Sequence, residues 1–292
     1  MATQALDLVT MGRALEELRT HLGDCQWQAI GGEQQTFLTW YLTHQDEISK
    51  LSDLKALAST DYSTLNSFLV ANGFEALFEE FDGVGVVSIL DMLVEWLSRG
   101  TPTTIERYNL TGRHVHPAFR IKADGADVFD VAGFHEPLIR LHTTGGASLW
   151  LMQAPEPTTE LELALTAQEI LAAGRSASLQ WTVGVTVPML EIDVRPDLSW
   201  MLGAYTVSPV DGYHEIAQAF QQFKLRANEQ GAHVKVATGL ATTRSISFTA
   251  PYVFNRPFIG CFTQPGHDTL PLAAFYADYD SWQNPGGTLE EL

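Results

Sequence analysis

The chain has 292 residues, 45% hydrophobic, 10% aromatic and 18% charged. That supports a large buried core and excludes a disordered chain. Seventeen basic residues against 35 acidic ones leave a net charge of −18, which repels nucleic acid phosphate and anionic lipid, so neither nucleic acid nor a membrane is expected as a partner. Cys25 and Cys261 are the only cysteines. The first falls in a predicted helix and the second in a strand-like run, and both are expected to be buried, reduced thiols. Residues 1–20 carry Asp7, Arg13, Glu16 and Glu17 and have no apolar stretch behind positive residues. No export signal is read there and no run reaches membrane-spanning length, so a cytoplasmic, bacterial-type protein is expected.

Residues 1–100 read as mainly helical. Leu6, Val9, Leu15, Leu18 and Leu22 recur near helical spacing, as do Phe37, Trp40, Tyr41, Ile48, Leu51 and Leu54. Shorter helices are predicted over 61–71 and 74–81. A further one over 87–97 has Ile89, Leu90, Leu93, Val94 and Leu97 on one stripe and Gly100-Thr101-Pro102 as its stop. From about residue 113 short apolar runs are cut by Asp124-Gly125 and Gly145-Gly146, the pattern of antiparallel strands and turns. Residues 161–174 return to helix, 181–194 read as strand, 211–227 are mixed, and 234–275 are mostly strand. No linker divides the halves, so a single α+β domain over 1–292 is expected, mainly β over 113–282.

No enzyme motif is found, and no catalytic residue, cofactor or metal is assigned. His114-Val115-His116 puts two imidazoles on one strand face without a nearby Cys or carboxylate. Cys25 has no nucleophile motif around it, and Gly83-Val84-Gly85 reads as a turn rather than a phosphate loop. Asn109-Leu110-Thr111 matches a glycosylation pattern that means little without export.

Several segments, in order, resemble the serpin family over about residues 120–282. Leu138-Ile139-Arg140-Leu141 followed by Ala147 to Pro155 resembles a family hairpin, and residues 163–171 the helix after it. Val185-Thr186-Val187-Pro188-Met189-Leu190-Glu191-Ile192 and then Asp197 to Gly203 are similar to a strand and the short helix it leads into. Phe223 to Gly231, ending Asn228-Glu229-Gln230-Gly231, resembles the strand that opens the family's reactive loop. Phe254-Asn255-Arg256-Pro257-Phe258 resembles the strand after that loop, and Pro271 to Ala277 the last strand. Three departures stand out. Gly260 occupies a usually apolar position, the last strand has Phe275-Tyr276 and lacks its usual glycine, and Val94 to Thr101 loosely resembles a family helix without the strand motif that should follow. That absent strand would line the slot that receives a cleaved loop.

The resemblance implies a serpin-like α+β fold and inhibition of a serine or cysteine peptidase through a reactive loop at about 231–250. Glu229, Gly231 and Ala232 would form the hinge, and Arg244-Ser245 the cleaved bond. Along the loop Ala232, Val234, Val236 and Thr238 alternate with His233, Lys235, Ala237 and Gly239. In one register a small apolar face can enter a sheet, where burying each valine gains roughly 1.5–3 kcal/mol. The same alternation also suits an ordinary edge strand. Between Gln230 and His267 there is no acidic residue, which suits Arg244 to a trypsin-like pocket lined by an aspartate. The alternative is a non-inhibitory relative that binds a small molecule or a protein.

Overall fold

Asp7 starts the first helix, Leu8–Leu22, by accepting a 2.9 Å hydrogen bond from the Val9 amide, and Gly23 ends it at φ 77°. The structure is a computed structural model that describes residues 2–51, 54–75, 77–173, 183–210, 212–232, 250–285 and 289. Two compact units divide the chain. One comprises Ala5–Met92 with Val194–Phe223, the other Met1–Gln4, Leu93–Asp193 and Lys224–Leu292.

In the first of these, Leu8, Val9, Leu15, Leu18 and Leu22 are buried as their spacing predicts. Helix Gly32–Ile48 crosses so closely that a Cβ at Gly12 would fall 2.7 Å from Ile48 Cδ1. Asp61 caps a third helix, Tyr62–Ala71. Cys25 is buried as expected but lies past the first helix rather than in it.

Two predicted helices are not formed. Over 74–81 the described residues are irregular. Phe74, Phe78 and Phe81 pack on Leu65, Leu69, Val87 and Ile89, while side chains capture the backbone: Gln222 Oε1 accepts from the Glu75 amide, Gln218 Oε1 from Glu79 and Asn66 Oδ1 from Phe78. These bonds take amides that a helix would have needed. In the 87–97 stretch, Gly85–Leu90 is instead a strand antiparallel to Leu54–Ser59, with Val87 and Ile89 buried in alternation. Its β-branched residues favour the pleated surface. Val94–Glu95 is a short strand too, so the loose likeness of residues 94–101 to a family helix fails.

The other unit is β-rich, as predicted. A four-stranded sheet runs Tyr252–Val253, Gly184–Pro188, Gly112–Lys122, Thr101–Asn109, with Tyr252–Val253 parallel to its neighbour and the other pairings antiparallel. Five strands of a second sheet run Leu272–Ala277, Phe258–Thr263, Ser148–Gln153, Leu138–His142, Ala126–Phe129, all antiparallel. Helix Glu160–Ala172, capped by Thr159, packs on the first two of these. Cys261 is buried within Phe258–Thr263. Leu190–Val194 pairs with Phe223–Ala227 as a separate two-stranded sheet. The core gathers Phe254, Phe258, Phe275 and Trp282, whose rings meet Phe258 at 5.0, 6.4 and 6.1 Å. Two of the departures noted in the sequence explain each other here. Gly260 lies directly opposite Phe275, and a Cβ at Gly260 would fall 2.2 Å from Phe275 Cζ. The bulk missing from one strand is supplied by its neighbour.

Candidate functional site

Residues 233–249, including Arg244 and Ser245, lie outside the described residues. Their flanks are described, and both belong to the β-rich unit.

On the leading side, Phe223–Ala227 ends in a tight turn. The Asn228 side chain accepts from the Gln230 amide at 2.8 Å, and the Asn228 amide donates to the Gly231 carbonyl at 3.0 Å. Asn and Gly suit such a turn because the Asn side chain can mimic a backbone acceptor. Gly231–Ala232 then pairs antiparallel with Val94–Glu95. Segment 96–100 closes round the turn. The Trp96 indole Nε1 donates to the Asn228 carbonyl at 2.8 Å, the Trp96 amide to Gln230 and the Gly100 amide to Glu229 at 2.7 Å. Gly231 is needed for the close approach, since a Cβ there would fall 2.4 Å from the Val94 carbonyl oxygen. Of the three hinge residues from the sequence, Gly231 and Ala232 are therefore buried in a short ladder and Glu229 is half-buried beside it, its carbonyl held.

On the trailing side, Tyr252 and Val253 lie against Val185 and Thr186. The Phe254 amide donates to the Thr186 carbonyl at 3.0 Å, and the Phe254 ring is fully buried. Glu136 holds two groups, pairing with the Arg256 guanidinium and accepting from the Tyr252 hydroxyl at 3.1 Å. Gln153 donates to the Tyr252 oxygen at 2.6 Å and accepts from the Arg256 amide at 2.9 Å. Burial, with the Glu136 carboxylate beside it, pushes the Tyr252 phenol well above its ordinary range. The hydrogen bond that the Arg256 guanidinium donates to Glu136 raises the pKa of Arg256. Arg256 itself is exposed, so any resistance to cleavage there comes from its pinned backbone rather than from burial.

Trp96, Glu136 and Gln153 were not singled out in the sequence. Only Asn228, three residues before Gly231, carried a local signal for its turn.

The two histidines do not act together. His114 Nε2 sits 3.0 Å from the Thr111 hydroxyl, whereas His116 lies against the Tyr279 and Trp282 rings, where burial lowers its pKa. Among the described residues no group of three His, Cys, Asp or Glu side chains could hold a metal, and no helix is long and apolar enough to cross a membrane.

Neither a protein-family model nor a curated protein matches the chain by sequence. Among solved structures it is similar to Tengpin, a thermophilic serpin in the native state, with TM-score 0.59 and 11% identity over 94% of this chain and 88% of that one. Human thyroxine-binding globulin in complex with thyroxine matches at TM-score 0.58 and 11% identity, over 94% and 91%. The mouse protein Z-dependent protease inhibitor matches at 0.56 and 12%, over 95% and 91%. The chain has an α+β serpin-like fold.

Proposed function

We propose that this chain is a peptidase inhibitor of the serpin kind, using the segment at about 231–250 as bait. Glu229, Gly231 and Ala232 act as its hinge and Arg244-Ser245 as the bond offered to a serine or cysteine peptidase. The observation that carries this reading is the pair of flanks. The chain leaves a strand through the turn at Asn228, makes a short ladder at Gly231–Ala232, and returns to a different sheet at Tyr252–Val253. A ladder of that length holds the hinge with few main-chain bonds, which suits a segment meant to change partners. The fold agrees, since inhibitors are among its structural neighbours. On this reading the protein acts by mechanics rather than by catalysis.

A second reading has its own support. Thyroxine-binding globulin shares the fold and is complexed with a small molecule, so this chain could be a carrier that never moves its loop. Incubation with trypsin separates the two. The inhibitor reading expects a complex that survives boiling in denaturant and whose trypsin is acylated by Arg244. A simple nick, with trypsin left fully active, would favour the carrier.

A further inference from the structure

Strand Tyr205–Ser208 pairs with Gly212–Glu215 in a hairpin whose pattern is reversed. An antiparallel pair with one wet face ordinarily keeps its apolar side chains inside and its polar ones out. Here Thr206 and Ser208 are buried, their hydroxyls donating to the carbonyls of Gln26 at 2.8 Å and Leu22 at 2.6 Å. Strand alternation then turns Tyr205 and Val207 outward. Across the ladder Val207 faces Tyr213, and Tyr205 faces Glu215. The two tyrosine rings stack at 5.6 Å, with Val207 64% and Tyr213 60% exposed. Val210, 75% exposed, follows the strand end, and Ile30, 68% exposed, extends this face on the other side. Ile30 is brought there because Gln28 and Tyr205 exchange backbone hydrogen bonds of 2.7 and 3.0 Å.

The margin of this face is acidic. Glu215 accepts from the Tyr213 hydroxyl at 3.1 Å and is itself exposed. Asp24, its side chain 94% exposed, follows Gly23, which lies against Val210, and Glu33 is exposed three residues beyond Ile30. The nearby cation, Arg19, is tied to Glu16 at 2.6 Å and to Asp24 at 3.4 Å. An apolar centre with an acidic margin is complementary to an apolar surface bordered by Lys or Arg. A second copy of a chain with net charge −18 would bring like charges together, and an anionic lipid surface would do the same.

We infer that the outer face of this hairpin is a docking surface for a protein whose contact surface sets apolar residues within a border of arginine or lysine. Apolar side chains meet Val207 and the tyrosine pair, and guanidinium groups at the border reach Glu215 and the tyrosine faces. The inference is independent of the bait segment.

The test uses the full-length chain and two short synthetic peptides, one with a valine–tyrosine centre flanked by arginines, the other with glutamates in place of the arginines. Calorimetric titration is expected to show binding of the arginine peptide alone, weakening with added salt. Val207→Ser and Tyr213→Ser are each expected to lower affinity roughly tenfold. Tyr213→Phe should restore it, because the ring and not the hydroxyl makes the contact. Glu215→Gln should lessen the salt dependence. Binding of neither peptide, equal binding of both, or full affinity in the serine variants with unchanged melting would overturn the proposal. So would light scattering that finds a dimer dispersed by Tyr213→Ser, since the face would then belong to a second copy.

Discussion

Asn228–Ala232 is held mainly through main-chain atoms, whereas Tyr252–Pro257 adds to a main-chain ladder of the same length a set of side-chain bonds and a buried ring. The first contact consists of the Gly231–Ala232 ladder, three amide-to-carbonyl bonds and one indole N–H. The second sinks Phe254 against Phe258, pins Tyr252 between Glu136 and Gln153, and ties down Arg256. Main-chain bonds to one partner can be exchanged for bonds to another at small net cost. A buried phenyl ring has no equivalent place to go. On the proposed function the Gly231 side is the end that moves and the Phe254 side is the fixed post, anchored by the buried Phe254 ring.

The comparison can be broken most easily at the fixed post. Phe254→Ala should destabilise the protein by about 3–5 kcal/mol, the usual cost of emptying a buried phenylalanine site. Urea unfolding measures it, and a loss well under that range would mean Phe254 is not structural. Gly231→Val should come next, at about 1–3 kcal/mol, because its Cβ meets the Val94 carbonyl. Faster tryptic cleavage at Arg99 should accompany it, and an unaltered digestion pattern would count against the ladder. Trp96→Phe removes the indole donor to Asn228 and part of a buried ring that stacks on Phe119, so a cost of about 1–2 kcal/mol is expected in the same assay. Glu136→Gln should be smallest. The Arg256 side chain is 58% exposed and solvent screens the pair, so about 0–1 kcal/mol is expected, shrinking further in high salt.

What could be read from the sequence follows from how local each feature is. Asp7 and Asp61 cap helices within two residues of themselves, so those starts were legible. The strand Gly85–Leu90 was not, because Ile89, Leu90, Leu93, Val94 and Leu97 form a helical stripe, whereas only Val87 and Ile89 mark the alternation. Its partner lies about thirty residues upstream. Likewise Phe74, Phe78 and Phe81 have helical spacing, and Asn66 together with glutamines 218 and 222 far along the chain diverts their backbone. Of the candidate site, Gly231 and Ala232 were legible through family resemblance alone. Their contact with Val94–Gly100 spans more than a hundred residues and leaves no local trace. Gly260 and Phe275 each looked like a departure from the family until their opposition in the sheet made them one compensated pair.

Hydrogen–deuterium exchange on the chain before and after cleavage at Arg244 tests the proposed asymmetry most directly. Peptides covering 94–100 and 228–232 should change their exchange markedly on cleavage, as the Gly231–Ala232 ladder gives up Val94–Glu95 for new partners. Peptides covering 252–258 should remain as slow as before. Unchanged exchange at 94–100 and 228–232, or loosening at Phe254 instead, would contradict a movable hinge and a fixed post.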